Sequence, residues 1–230
     1  MTEWTCVLTE WTCVLAEWTC VLNELTINIA TALTTAEICP EKELQEKAAT
    51  LSNMALQIAD QGDIPKAIAL WEEVASTLAQ ISAYSDLVTV LSNLGVADER
   101  NGLVYLAQAI WLTLRIQAPL SQTIRLISAL YNRVPQGDEL EALLGATAMF
   151  FCNYRGEGHP QLEELQEHSF KMIAGAANAQ GIETEEAFGN WFTQQRLNDS
   201  EYFLPRLNQR LEDIVGDRWL FDRSQVSMGE

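Results

Sequence analysis

The sequence predicts an all-α fold of antiparallel helical hairpins, with a helical extension before them and a helical cap after them. Three observations predict it. Apolar residues recur at spacings of three and four along most of the chain, and alternation at period two is scarce. Only six prolines interrupt 230 residues. A hairpin-like stretch at residues 48–81 also returns as a near copy 40 residues later.

Composition narrows the function classes. A chain of this length can bury one full core or two small ones. With 48% hydrophobic and 20% charged residues it reads as globular rather than disordered. The net charge is -18 and the sequence pI about 4.4. That excludes binding nucleic acid by neutralising its phosphates, and it excludes an anionic membrane surface. The imbalance is uneven: residues 1–99 carry 15 acids and three bases, a net -12, while residues 100–230 carry 17 acids and 11 bases, a net -6. An acidic N-terminal half suits a basic or apolar partner, and it suits a solvated surface equally. No apolar run reaches the roughly 20 residues that span a bilayer. The five cysteines are an odd number with no metal-style CxxC pair, and no signal-peptide pattern precedes them. Reduced thiols and a soluble, cytoplasmic protein are therefore expected.

Residues 1–38 form the expected N-terminal extension. TEWTCVL, TEWTCVL and AEWTCVL follow one another. An odd period would turn successive copies to opposite faces of a strand. A helix keeps them on one face, drifting about 20° per heptad. Trp4, Trp11 and Trp18 then lie on one apolar stripe with the Val-Leu pairs, beside an acidic row of Glu3, Glu10, Glu17 and Glu24. Trp, Thr, Cys and Val favour strands; periodicity is given precedence here. The stripe serves as a packing or capping helix, or as a self-association helix that would make a homo-oligomer through residues 1–22. Cys6, Cys13 and Cys20 stand about 10 Å apart along such a helix and cannot share one ion. A further helix at 23–38 ends at Cys39-Pro40, because the residue before proline is pushed out of the helical region.

Residues 41–153 form the expected hairpin region. The first helix, 41–60, is read with Leu44, Leu51, Met54, Ala55 and Ile58 inward. A Gln61-Gly62-Asp63 turn leads to a second helix carrying Ala67 and Trp71. The copy at 88–120 repeats the string Leu51-Ser52-Asn53-Met54-Ala55 as Leu91-Ser92-Asn93-Leu94-Gly95, and adds Gly102, Ala107, Trp111 and Pro119. Glycine is read as supplying a left-handed turn at both 62 and 102. Alanine is read at the helix crossing, and tryptophan between one hairpin and the next. A third unit at 123–152 keeps Pro135-Gln136-Gly137 and Ala142 but has Ala146 in place of the tryptophan, with Phe150 and Phe151 near by.

These positions resemble the tetratricopeptide repeat, a helix–turn–helix unit of about 34 residues. The copies here are 40 apart, so either the connection at 82–87 or the helices are longer. The resemblance implies an α-solenoid whose hairpins stack because one alone cannot bury its apolar face. It also implies a groove lined by first helices: Ala49, Ser52, Asn53, Leu56 and Ala59 in one copy, Thr89, Ser92, Asn93, Val96 and Glu99 in the next, with Arg100 close by. The family's carboxylate-gripping mode needs basic groove residues, and Arg100 is the nearest candidate. A small, apolar, acid-edged groove suits a helical or extended apolar or basic protein segment.

Residues 160–230 form the expected cap. The break YRGEGHP at 154–160 precedes helices at 161–180 and 183–197, then one from Asp199 or Ser200 to Val215 with Pro205 about one turn inside. Trp219, Leu220 and Phe221 are expected to dock the tail.

Candidate chemistry is sparse. Cys152, His159, Glu164 and His168 include metal-ligand types, and Glu164 and His168 share a helix face. HExxH is missing, and nothing marks an oxyanion hole for a Cys152–His159 pair. No catalytic residue, metal or cofactor is expected. The reading favoured is a non-catalytic scaffold or adaptor that binds a protein segment. The alternatives are a self-assembling protein driven by the Trp heptads and an enzyme or metal protein centred on Cys152, His159 and His168.

Overall fold

Helix α1 (Pro40–Asp60) opens the part of the chain described by this computed structural model, residues 40–226. The heptads with Trp4, Trp11 and Trp18, and the helix expected at 23–38, lie outside the described residues. Eight more helices follow: α2 (Ile64–Gln80), α3 (Tyr84–Ala97), α4 (Gly102–Arg115), α5 (Leu120–Tyr131), α6 (Glu139–Arg155), α7 (Leu162–Ala179), α8 (Glu185–Gln194) and α9 (Ser200–Val215). A single 3-10 turn, Arg223–Gln225, lies in the tail. The described residues are all-α and hold no strand.

Short turns return the chain after each helix, and from α2 to α7 every helix packs on the next. Helix α9 then crosses back over α4 and α6. Those two helices have the most buried residues, 11 each. Their near-continuous apolar runs mark helices covered on more than one side. Two ties hold α9 at the start of α6: Arg206 pairs with Glu139, and Arg210 Nη2 donates to Asp138 Oδ1 at 2.9 Å. Pro205 sits inside α9 on its exposed side, where solvent can satisfy the carbonyl that its ring nitrogen cannot.

The turns follow from their residues. Gly62 has φ +87°, and Asp63 caps α2 by accepting from the Lys66 amide at 3.3 Å. Gly137 has φ +84°, and Asp138 caps α6 through the Leu140 amide at 2.8 Å. Between α2 and α3 only three residues intervene, so the 40-residue spacing comes from long helices, 21 residues in α1 and 17 in α2.

Four expectations are corrected. Gly102 has no left-handed backbone; it begins α4, and an added Cβ would lie 2.5 Å from the Gly95 carbonyl oxygen. Its role is close approach of α4 to α3, and Asp98 shapes that turn instead. The Asp98 carboxylate accepts from the amides of Arg100 (2.8 Å) and Asn101 (3.0 Å) and from Asn101 Nδ2 (3.0 Å). In α1, Met54 is 47% exposed and Leu44 is also exposed. The buried positions are Ala48 and Ala55, with Leu51, Ser52, Ile58 and Ala59 half-buried, so the inward face is rotated toward the small residues. Trp111 packs against the tail, with ring centroids 5.2 Å from Trp219 and 5.8 Å from Phe221. The helix expected at 183–197 is shorter, because Arg196 takes φ +53° just past its end.

Candidate functional site: a cleft between the first and third helices

Helix α1 turns small side chains toward α3, and small side chains cannot fill the space between two helices. The result is a cleft of about 190 Å³. Its floor is Ala48, Val74, Leu78 and Val90, and its walls are Ala49, Ser52 and Asn53 on one side with Asp86 and Thr89 on the other. Gln45 Nε2 donates to Asp86 Oδ2 at 2.7 Å across one end. At the far wall, Gln122 Nε2 of α5 reaches Thr89 Oγ1 at 3.5 Å, a long and weak contact. The cleft is smaller than the roughly 300–1,000 Å³ of small-molecule pockets. It has room for one or two side chains.

Of the residues singled out in the sequence, Ala49, Ser52, Asn53 and Thr89 line this cleft. Leu56 and Val96 stand at matching places farther along α1 and α3, 42% and 65% exposed, outside its lining. Ser92 and Asn93 are half-buried on α3 and do not line it either. Arg100 lies in the turn after α3, its amide held by Asp98. Sequence reasoning missed the floor from α2 and the Gln45–Asp86 bridge. The adjacent alanines 48 and 49 were the signal that a helix face here is too small to close.

The histidines and Cys152 have separate partners. Cys152 is buried with its thiol 3.6 Å from Ser169 Oγ. Burial pushes its pKa up, which leaves it protonated and poorly nucleophilic. His159 Nδ1 accepts from the Gln161 amide at 3.2 Å. His168 Nε2 lies 2.6 Å from Ser128 Oγ, and Gln161 Nε2 contacts Glu164 at 3.5 Å. Among the described residues, no group of three or more His, Cys, Asp or Glu side chains is placed to hold a metal.

A larger cavity of about 320 Å³ is walled by Met149 and Phe150 of α6, Phe192 of α8 and Phe203 of α9, with Asn153 and Asn198 among its polar lining. Three distant helices build it, so no local pattern announced it. No helix among the described residues is long and apolar enough to cross a membrane. Comparison with family models, curated proteins and solved structures finds no match.

Proposed function

We propose that the chain is a non-catalytic scaffold or adaptor that binds a protein segment on a tetratricopeptide-like surface of stacked hairpins. The observation that carries the proposal is the cleft between α1 and α3. It has an apolar floor, a polar rim with one carboxylate at Asp86, and room for side chains only. A helical or extended segment inserting one or two apolar side chains, with a basic residue toward Asp86, has the matching chemistry. Buried thiol chemistry and scattered histidines offer no competing site of similar quality.

Selection from a displayed library of random peptides tests this. The chain is expected to enrich peptides with a shared apolar and basic pattern. A variant with Ala49→Trp and Thr89→Trp, which fills the cleft from exposed helix positions, should lose them. The same peptides recovered by both proteins would remove the cleft from the proposal.

The Trp4, Trp11 and Trp18 stripe supports a second reading, self-assembly through residues 1–22. Light scattering on a chain begun at Asn23 should then show a lower molar mass; an unchanged mass would end that reading.

A further inference from the structure

We infer that the face of α4 crossed by the tail is a second recognition groove, one that takes a peptide segment with aromatic residues two positions apart. The chain's own tail is its resident ligand, and a partner segment of the same chemistry competes with it. This groove is separate from the α1–α3 cleft and stands without it.

Gln108 carries the argument. Its side chain comes from the middle of α4 and is wholly buried. Nε2 donates to the Arg218 carbonyl oxygen at 3.2 Å, and Oε1 accepts from the Leu220 amide at 2.9 Å. One amide thus reads the main chain on both sides of Trp219, as a neighbouring strand would, without regard to side-chain identity. Side-chain selection comes from positions 219 and 221. The chain bends at Leu220 and Phe221, which brings these two rings within 5.4 Å of each other and sets both against the Trp111 ring. Phe221 also meets Tyr84 at 6.2 Å. The Trp111 indole is itself fixed, with the Arg115 guanidinium 3.3 Å from its ring centroid and Nε1 donating to Glu212 Oε1 at 3.3 Å.

Two features set the tail apart from the helices, although its Phe221 and Val226 are buried in the common core. An open pocket of about 310 Å³ lies where Val104 and Tyr105 of α4 meet the tail's Trp219 and Leu220. The tail also leaves α9 at Gly216, whose φ of +60° and ψ of -120° make an abrupt hinge at a single residue. A vacated groove would give up both main-chain bonds of the Gln108 amide. The face is therefore built to be occupied.

The test keeps the full chain. Trp219→Ala with Phe221→Ala unseats the tail, and a fluorescent peptide of residues 217–226 is titrated by anisotropy. The double variant is expected to bind at least tenfold more tightly than the unsubstituted chain, whose own tail competes. Adding Gln108→Leu should weaken binding at least tenfold while circular dichroism shows helix content retained. Equal binding by all three proteins, or no binding by a folded double variant, overturns the proposal. Should the double variant fail to fold, native trypsin digestion of the unsubstituted chain decides. Cleavage after Arg218 and Arg223 at least tenfold faster than within α2 to α7 supports an exchangeable tail, and cleavage there only at the rate of global unfolding overturns it.

Discussion

The first and second hairpins share the string Leu-Ser-Asn-x-small and a tryptophan in the second helix, yet they are built into the molecule differently. In the second, α4 buries 11 of its 14 residues, and Trp111 is held by Glu212, Arg115 and two tail aromatics. In the first, α1 fully buries Ala48 and Ala55 among residues 44–60, and Trp71 is buried with its indole N–H unbonded. The repeated pattern places two helices and their buried alanine and tryptophan in each copy. What lies over each copy sets how much of it becomes core. Helix α9 and the tail arrive from more than 90 residues downstream to cover α4.

Trp111→Ala should break this contrast most severely. It removes a buried ring that joins α4, α9 and the tail, and an expected loss of about 3–5 kcal/mol follows from deleting a large core aromatic. Urea unfolding measures it. The sharper comparison is Trp→Phe in both copies. At position 71 the lost volume is offset by removing a buried, unbonded N–H, a group that costs about 1–3 kcal/mol. The Trp71→Phe protein should therefore stay within about 1 kcal/mol of the parent, while Trp111→Phe loses a made hydrogen bond and falls further. Equal losses would mean that the two sites are equivalent after all.

The glycines offer the next test. Gly102→Ala drives a methyl group into the Gly95 carbonyl and the Arg133 side chain, which itself donates to Val96 O and Asp98 O at 3.0 and 3.2 Å. A cost of about 1–3 kcal/mol is expected from that overpacking. Gly62→Ala meets no neighbour and strains only the backbone, at about 1 kcal/mol. Thermal unfolding of the two variants should rank them in that order.

The smallest effect concerns Asp98, whose turn has no counterpart in the first hairpin. Burial alone would raise its pKa, but the bonds from Asn101 and Arg100 outweigh it and hold the carboxyl below the ordinary 3.8. A depressed carboxyl contributes stability that is fully present above that ordinary value and is lost as pH falls through the lower folded one. Asp98→Asn should cost about 1 kcal/mol at neutral pH, the usual worth of a hydrogen bond. The difference from the parent should close as pH falls through the depressed folded value, where the parent carboxyl becomes protonated as well. A difference that stays constant across the whole acid range would show that the ionised form is not what matters.

Much of the fold was legible because its signals are local. Gly62 and Gly137 take positive φ in the turns where they are read, Gly181 and Gly216 do so just past helix ends, and Asp63 and Thr184 cap the helices they precede. Ala67, Ala107, Trp71 and Trp111, singled out by the repetition, are all buried. The failures share one cause, which is that the deciding neighbour is far away in sequence. Met54 is as apolar as Ile58, and only the placement of α2 and α3 rotates the face toward Ala48. Gly102 sits where Gly62 would suggest a turn, but Gly95 and Arg133 make it a contact point. Gln108 reads as an ordinary polar helix residue until the tail at 218–220 lies against it. In the candidate cleft, Ser52, Asn53 and Thr89 could be placed from repeat spacing, whereas Val74 and Leu78 needed the packing of α2.

The central claim is that two sequence-similar hairpins differ because one is covered by α9 and the tail. Residue-resolved amide hydrogen exchange under native conditions tests it most directly. The account predicts that α4 amides from Tyr105 to Leu112 exchange only through near-global unfolding, while α1 amides from Ala48 to Ile58 exchange at least a hundredfold faster by local opening. Protection in α1 equal to that in α4 would contradict it.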